Sequence, residues 1–133
     1  LVGDGPLRGE VKAQAKKLGI INRIKFLGSR NDVNRLLQAF DVFVMPSLWE
    51  GLSIATIEAQ ASDLPLLLSD QVSKLTKITT NVEFIPLNDE AQWVNSIKSV
   101  QNIINRKNNL DEIIKNGYDM QISANMLMDF YKR

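Results

Sequence analysis

Two glutamates, Glu50 and Glu58, stand with seven residues between them in what reads as a strand, a turn and a helix. The apolar run Asp41-Val42-Phe43-Val44-Met45 suits a buried strand. Pro46, Ser47 and Gly51 then mark a turn. From Leu52 onward, Leu52, Ile54, Ala55, Ile57, Ala59 and Ala61 suit a mostly buried helix. A helix starting near Ser53 offers unpaired amides and a partial positive charge, which suits a phosphate. Gly51 lets backbone approach a ligand closely. A carboxylate accepts hydrogen bonds from two neighbouring hydroxyls, as a sugar or a ribose presents them. Two carboxylates flanking one phosphate site can therefore hold a sugar on one side and a ribose on the other, which describes a nucleotide-sugar.

The two acids make different demands. Glu50 taken alone reads as a solvated loop acid near a helix start, favoured by the helix dipole by about 0.3–1 kcal/mol. Glu58 sits between Ile57 and Ala59 in the helix expected to be buried, where an unpaired charge is costly. Its partner is then a lysine, an arginine, a capping amide or a ligand.

The elements that position these residues follow from the rest of the pattern. The chain has 133 residues and reads as one domain, 1–133, able to bury its own core. A net charge of +1 supplies no global field for nucleic acid. The chain has no cysteine and no histidine, which excludes disulfides, thiolate chemistry and imidazole bases or ligands. No apolar run approaches the roughly 20 residues of a membrane span. Leu1-Val2-Gly3 reads as the tail of a strand, and Gly3-Asp4-Gly5-Pro6 as a turn with Pro6 in the first turn of a helix to about Leu18, stopped by Gly19. Val11, Ala15 and Leu18 share that helix's apolar face. A dinucleotide fingerprint fails here, because the third glycine would have to stand at Arg8.

Ile24-Lys25-Phe26-Leu27 is the next expected strand, followed by Gly28-Ser29-Arg30. Asn31 or Asp32 can cap a helix carrying Val33, Leu36, Leu37 and Phe40. Beyond the central stretch, Leu64 to Leu68 and Val82 to Pro86 read as strands, with Ser69-Asp70 at the carboxyl end of the first. Asp89 caps a helix through about Ile104; Leu110 to Lys115 is short and ends at Gly117; Asp119 opens a last helix through Tyr131. Met126 and Met128 are expected to pack on this domain. Lys74 and Lys77 read as a solvated loop. The fold class is α/β: a Rossmann-like parallel sheet flanked by helices, whose ligands sit outside the carboxyl ends of the strands.

Pro46-Ser47-x-x-Glu50-Gly51 followed by Glu58-Ala59-Gln60-Ala61 resembles the Glu-x7-Glu signature of retaining GT-B glycosyltransferases. The resemblance extends to Val2-Gly3-Asp4-Gly5-Pro6, to Phe26-Leu27-Gly28-x-Arg30-x-Asp32-Val33, and to Pro65 and Ser69-Asp70. It implies most of a carboxyl-terminal donor-binding domain, incomplete at its start, whose acceptor-binding partner domain precedes it. It implies transfer of a sugar from a UDP- or GDP-linked donor to a saccharide or lipid-linked acceptor in capsule, exopolysaccharide or cell-envelope synthesis. The expected setting is the bacterial cytoplasm, at the inner face of the membrane through the preceding half.

By the same resemblance Glu50 and Glu58 are the catalytic candidates. Glu50 serves the donor sugar near its 3-hydroxyl, and Glu58 takes the ribose hydroxyls. Gly51, Leu52, Ser53 and Ile54, with Gly3 and Gly5, are the donor-binding candidates. Ser29, Arg30 and Asp32 border the base. Neither a metal nor a cofactor is expected, since the sequence has no Asp-x-Asp motif. The family's last helix braces the preceding domain. The chain departs from the family at Ser53, often proline, at Asp63, usually a glycine closing a helix, and at Leu75, often glutamate. These departures keep a second reading open: a non-catalytic nucleotide-binding or partner-docking half-domain of a decayed or truncated transferase.

Overall fold

The computed structural model describes residues 1–100, 106 and 108–132. The chain divides into two compact units, Leu1–Val33 and Asn34–Arg133.

The first unit is built on α1 (Arg8–Lys17). Pro6 lies just ahead of the cap residue Leu7 and not in the first turn. Only Ala15 of the expected apolar face is buried; Val11 and Leu18 are exposed. Gly19 does stop the helix, at φ +69°. Its N–H reaches Lys16 O (3.0 Å) and the Ile20 N–H reaches Ala15 O (3.0 Å), the paired closure of a Schellman stop. The strand expected over Ile24–Leu27 does not form: a 3₁₀ turn at Ile21–Arg23 leads into extended backbone outside any ladder. That backbone meets Leu1–Gly3, through Leu27 N–H to Leu1 O (2.9 Å), the Leu1 amine to Lys25 O (2.8 Å) and Gly3 N–H to Gly28 O (2.8 Å), and Arg8 Nη2 donates to Phe26 O (3.5 Å). Among the described residues these contacts make one isolated bridge, Gly3 with Gly28, and no ladder.

The second unit holds α2 (Val33–Ala39), which starts at the boundary, and a three-stranded parallel sheet. Its strands are β1 (Phe43–Met45), β2 (Leu66–Ser69) and β3 (Val82–Ile85), ordered β1-β2-β3. Register pairs Val44 with Leu67 and Leu67 with Glu83. β2 is central and buried at every residue, as a parallel strand covered on both faces must be. Alternation turns Leu67 toward α4 (Glu90–Val100), where it packs with Ile85, Val100, Val42, Trp93 and Ile97. Leu66 and Leu68 face the other way, and α3 (Ile54–Ala61) contacts β2 as well. β1, expected to be buried, is the edge strand of the described sheet, and Val44 is 41% exposed.

Side-chain caps fix the later helices. Asp89 Oδ1 accepts from Gln92 N–H (2.9 Å) at the start of α4. The expected continuation of α4 to Ile104 lies outside the described residues beyond Val100. Asp119 Oδ1 accepts from Ile122 N–H (2.8 Å) and starts α6 (Met120–Tyr131). No residue of α6 is buried, so Met126 and Met128, 67% and 55% exposed, do not pack on this domain as expected. Ile122, Met126, Leu127, Met128, Phe130 and Tyr131 leave an exposed apolar surface along much of the helix.

α3 also ends in a Schellman stop, with Asp63 in the left-handed position at φ +57°, where Gly19 and Gly117 serve α1 and α5 (Leu110–Lys115). Asp63 N–H bonds Gln60 O (3.0 Å) and Leu64 N–H bonds Ala59 O (3.1 Å). The side chain has a further role that glycine lacks: Asp63 Oδ1 accepts from Asn109 N–H at 2.7 Å, joining the end of α3 to the start of α5. Arg106 completes the junction by donating to Ser62 O (3.2 Å) and to Phe40 O.

Asp63→Gly therefore loses a bond to a charged acceptor, roughly 1.5–3 kcal/mol, but removes left-handed strain. Asp63→Ala loses the bond and keeps the strain, about 1 kcal/mol more. Urea unfolding is expected to rank wild type above Gly above Ala; a Gly variant as stable as wild type would mean that the Asn109 bond contributes no more than the strain glycine relieves.

Candidate functional site

In the second unit, β1 delivers the chain to a loop, 46–53, that ends at the amino terminus of α3. The loop is tied from behind by segment 72–76. Glu50 bridges Val72, Ser73 N–H donates to Glu50 O (3.2 Å), and the Thr76 hydroxyl donates to Gly51 O (3.3 Å). Ser53 is the cap residue of α3, in extended conformation, and its side chain makes no capping bond. By helix geometry the first-turn amides have no acceptor within the helix. A Cβ built on Gly51 meets nothing within 4 Å, so packing among the described residues does not demand glycine there.

Glu58 is exposed, which corrects the expectation of burial. α3 is amphipathic: Thr56, Ile57, Ala59 and Gln60 face inward, while Ile54 and Glu58 lie one turn apart on the outward face. One turn is about 6 Å along the axis. Glu50 is half-buried. Among the described residues, no hydrogen bond or ion pair engages either carboxylate side chain. The loop therefore brings together Glu50, Gly51, Leu52, Ser53 and Ile54, with Glu58 one turn further up the same helix. Leu48 (84%), Trp49 (81%), Leu52 and Ile54 leave the surroundings apolar and open.

The remaining candidates belong to the first unit. Gly3 spends its N–H on Gly28 O, and Gly5 O accepts from Arg8 N–H (3.1 Å), so Gly3 has no free amide for a donor. Ser29 and Arg30, with Asn31, line an open depression. Arg30 forks onto Asp32, Nε to Oδ1 at 2.7 Å and Nη2 to Oδ2 at 2.6 Å. The hydrogen bonds to Asp32, and then its charge, raise the Arg30 pKa above its ordinary value. The pair presents a fixed, nearly neutral edge, more suited to directional hydrogen bonds than to attracting phosphate.

Sequence reasoning missed the residues that hold the loop. Gln60 and Thr76 are fully buried. Lys74 and Lys77 are exposed, as expected of a solvated loop, and the Lys74 ammonium also lies 3.5 Å from the centre of the Phe84 ring. The available signal was a glutamine on the inward row of an apolar helix, where a carboxamide must find partners.

Known proteins match this chain closely. The family described as "Glycosyl transferases group 1" matches residues 1–120. UDP-Gal:alpha-D-GlcNAc-diphosphoundecaprenol alpha-1,3-galactosyltransferase of Escherichia coli is 34% identical over 98% of this chain and 35% of its own length. Putative glycosyltransferase EpsF of Bacillus subtilis is 46% identical over 56% of the chain and 19% of its own length. The Vi polysaccharide biosynthesis protein VipC/TviE of Salmonella typhi is 40% identical over 71% of the chain and 16% of its own. The chain thus spans about a third or less of these relatives. The solved apo form of the lipopolysaccharide outer core galactosyltransferase WaaB superposes with a TM-score of 0.75 over 98% of this chain and 39% of that one. At 19% identity this likeness speaks for the fold, and it agrees with the α/β, GT-B-type architecture read from the sequence. With the family match covering residues 1–120 of 133, the chain belongs to the glycosyl transferases group 1 family.

Proposed function

We propose that this chain is the donor-binding, carboxyl-terminal part of a retaining glycosyltransferase. It takes a sugar from a nucleoside diphosphate and passes it to a saccharide or lipid-linked acceptor carried by a preceding domain. The observation that carries the reading is the pair of carboxylates, Glu50 before and Glu58 one turn beyond the start of α3, neither engaged by a partner among the described residues. The relative whose name specifies UDP-Gal and a diphosphoundecaprenol-linked sugar supports a nucleotide-sugar donor and a lipid-linked acceptor.

The chemistry follows from the positions. Pyrophosphate sits over the first-turn amides of α3, whose dipole stabilises charge as the diphosphate leaves. Glu58 accepts hydrogen bonds from the two ribose hydroxyls at roughly 1.5–3 kcal/mol each. Glu50 lies at the other end of the diphosphate, where it holds the sugar and stabilises positive charge developing at the anomeric carbon. The glycosidic bond to phosphate breaks as the acceptor hydroxyl attacks the same face, and its proton passes to a departing phosphate oxygen. The reaction proceeds without a metal and inside the cell. Ser29, Arg30 and Asp32 of the first unit remain the candidates for the base.

Titrating UDP and GDP into the chain tests the donor site. One of them is expected to saturate, and Glu58→Ala to weaken it by about tenfold or more, as the loss of a bond to a charged group requires. No saturation, together with no transfer by the longer enzyme, supports the decayed half-domain instead. Gly51→Ala separates binding from folding. Its urea midpoint should stay level or rise by about 0.4–1 kcal/mol, while nucleotide affinity falls roughly tenfold; unchanged affinity would remove Gly51 from the site. For the stereochemistry, proton NMR of product from the longer enzyme should show the donor's anomeric configuration retained, and an inverted product rejects same-face attack.

A further inference from the structure

Gln60 is fully buried two residues beyond Glu58, and its carboxamide is saturated. Oε1 accepts from Ile78 N–H (3.0 Å), Thr79 N–H (3.0 Å) and the Thr79 hydroxyl (3.1 Å). Nε2 donates to Thr56 O (3.1 Å) and to Thr76 O (2.9 Å). Each of those threonines is itself buried, and each hydroxyl holds a carbonyl of the loop. Thr56 donates to Ser53 O (2.6 Å) and Thr76 to Gly51 O (3.3 Å).

The consequence is one of peptide geometry. In a planar trans peptide the N–H points opposite to the C=O of the same unit. A hydroxyl that draws the Gly51 carbonyl inward turns the Leu52 N–H outward. The Ser53 carbonyl is drawn inward by the Thr56 hydroxyl together with the Thr56 and Ile57 N–H groups (3.1 and 3.3 Å), which turns the Ile54 N–H outward in the same way. Both amides belong to the donor-binding candidates Leu52 to Ile54, and the threonines whose hydroxyls hold the paired carbonyls are themselves bonded to one buried carboxamide.

We propose that Gln60 is a positioning residue that, through Thr56 and Thr76, aims the Leu52 and Ile54 N–H groups at the donor's pyrophosphate. The proposal rests on the donor-site reading for its ligand, but the clamp itself belongs to the ligand-free chain. Gln60 touches no substrate; it acts by orienting two amides that do. A role in stability alone would affect both amides equally and in proportion to the stability lost.

The test uses the whole chain, ¹⁵N-labelled, with UDP and GDP as probes. In wild type, the Leu52 and Ile54 amide signals are expected to shift most on saturation. Thr76→Val should reduce the Leu52 response and leave that of Ile54, Thr56→Val should do the reverse, and each should weaken binding about fivefold. Gln60→Met should remove both responses. Either threonine variant that keeps wild-type responses and affinity overturns the proposal, whatever happens to the glutamine variant's folding. Should neither nucleotide bind wild type, the donor reading passes to the transfer assay of the longer enzyme, and amide exchange without ligand decides the clamp. Faster exchange confined to Leu52 in Thr76→Val and to Ile54 in Thr56→Val supports it; unchanged exchange overturns it.

Discussion

One carboxamide buried in an apolar helix face sets the order of this structure. Gln60 offers two donor hydrogens and one oxygen, and all are spent on backbone and hydroxyl groups of two chain segments. In a low-dielectric interior such a network strengthens itself, and each member left without a partner costs about 1–3 kcal/mol. Segment 76–79 has no regular structure of its own between the 3₁₀ turn Lys74–Thr76 and β3, so it takes its position from this side chain. The loop that carries Glu50 takes its position from that segment in turn. A hydrophobic residue at Gln60 would fill the space and orient nothing.

The second constraint is how helices end. α3 must reverse into β2 within a few residues, and Asp63 makes the left-handed step that glycine makes elsewhere in the chain. The departure from the family at this position therefore does not signal decay. The aspartate supplies both the turn and an acceptor for Asn109 N–H, and Arg106 covers the neighbouring carbonyls of Ser62 and Phe40. The α3 end, and with it the direction in which Glu58 points, is held from the α5 side.

The sequence made legible whatever depends on local periodicity and punctuation. The strand-turn-helix around Gly51, the buried run at Leu66 to Leu68, the caps Asp89 and Asp119 and the stops Gly19 and Gly117 all announce themselves through residue type. Four features did not. Ile24 to Leu27 is apolar enough for a strand, but a strand exists only through its partner, and the bonds of this stretch to Leu1–Gly3 make one isolated bridge and no ladder. Glu58 was placed in a buried setting because its neighbours are apolar; helical phase, which turns Glu58 outward with Ile54, decides the matter instead. α6 looks like a packing helix by composition, yet composition does not say what a helix packs against. Gln60 was visible only as one letter of a motif, because the partners that give it meaning lie 16 to 19 residues away.

The two tryptophans sit in contrasting surroundings. Trp93 is partly buried, its indole N–H bound to Pro86 O at 3.0 Å, whereas Trp49 stands almost wholly in water next to Glu50. The molecule thus carries its own optical gauge: red-shifted, quencher-accessible emission from the mouth of the loop over a shielded internal reference, so that anything settling beside Glu50 changes colour and collisional quenching without a label.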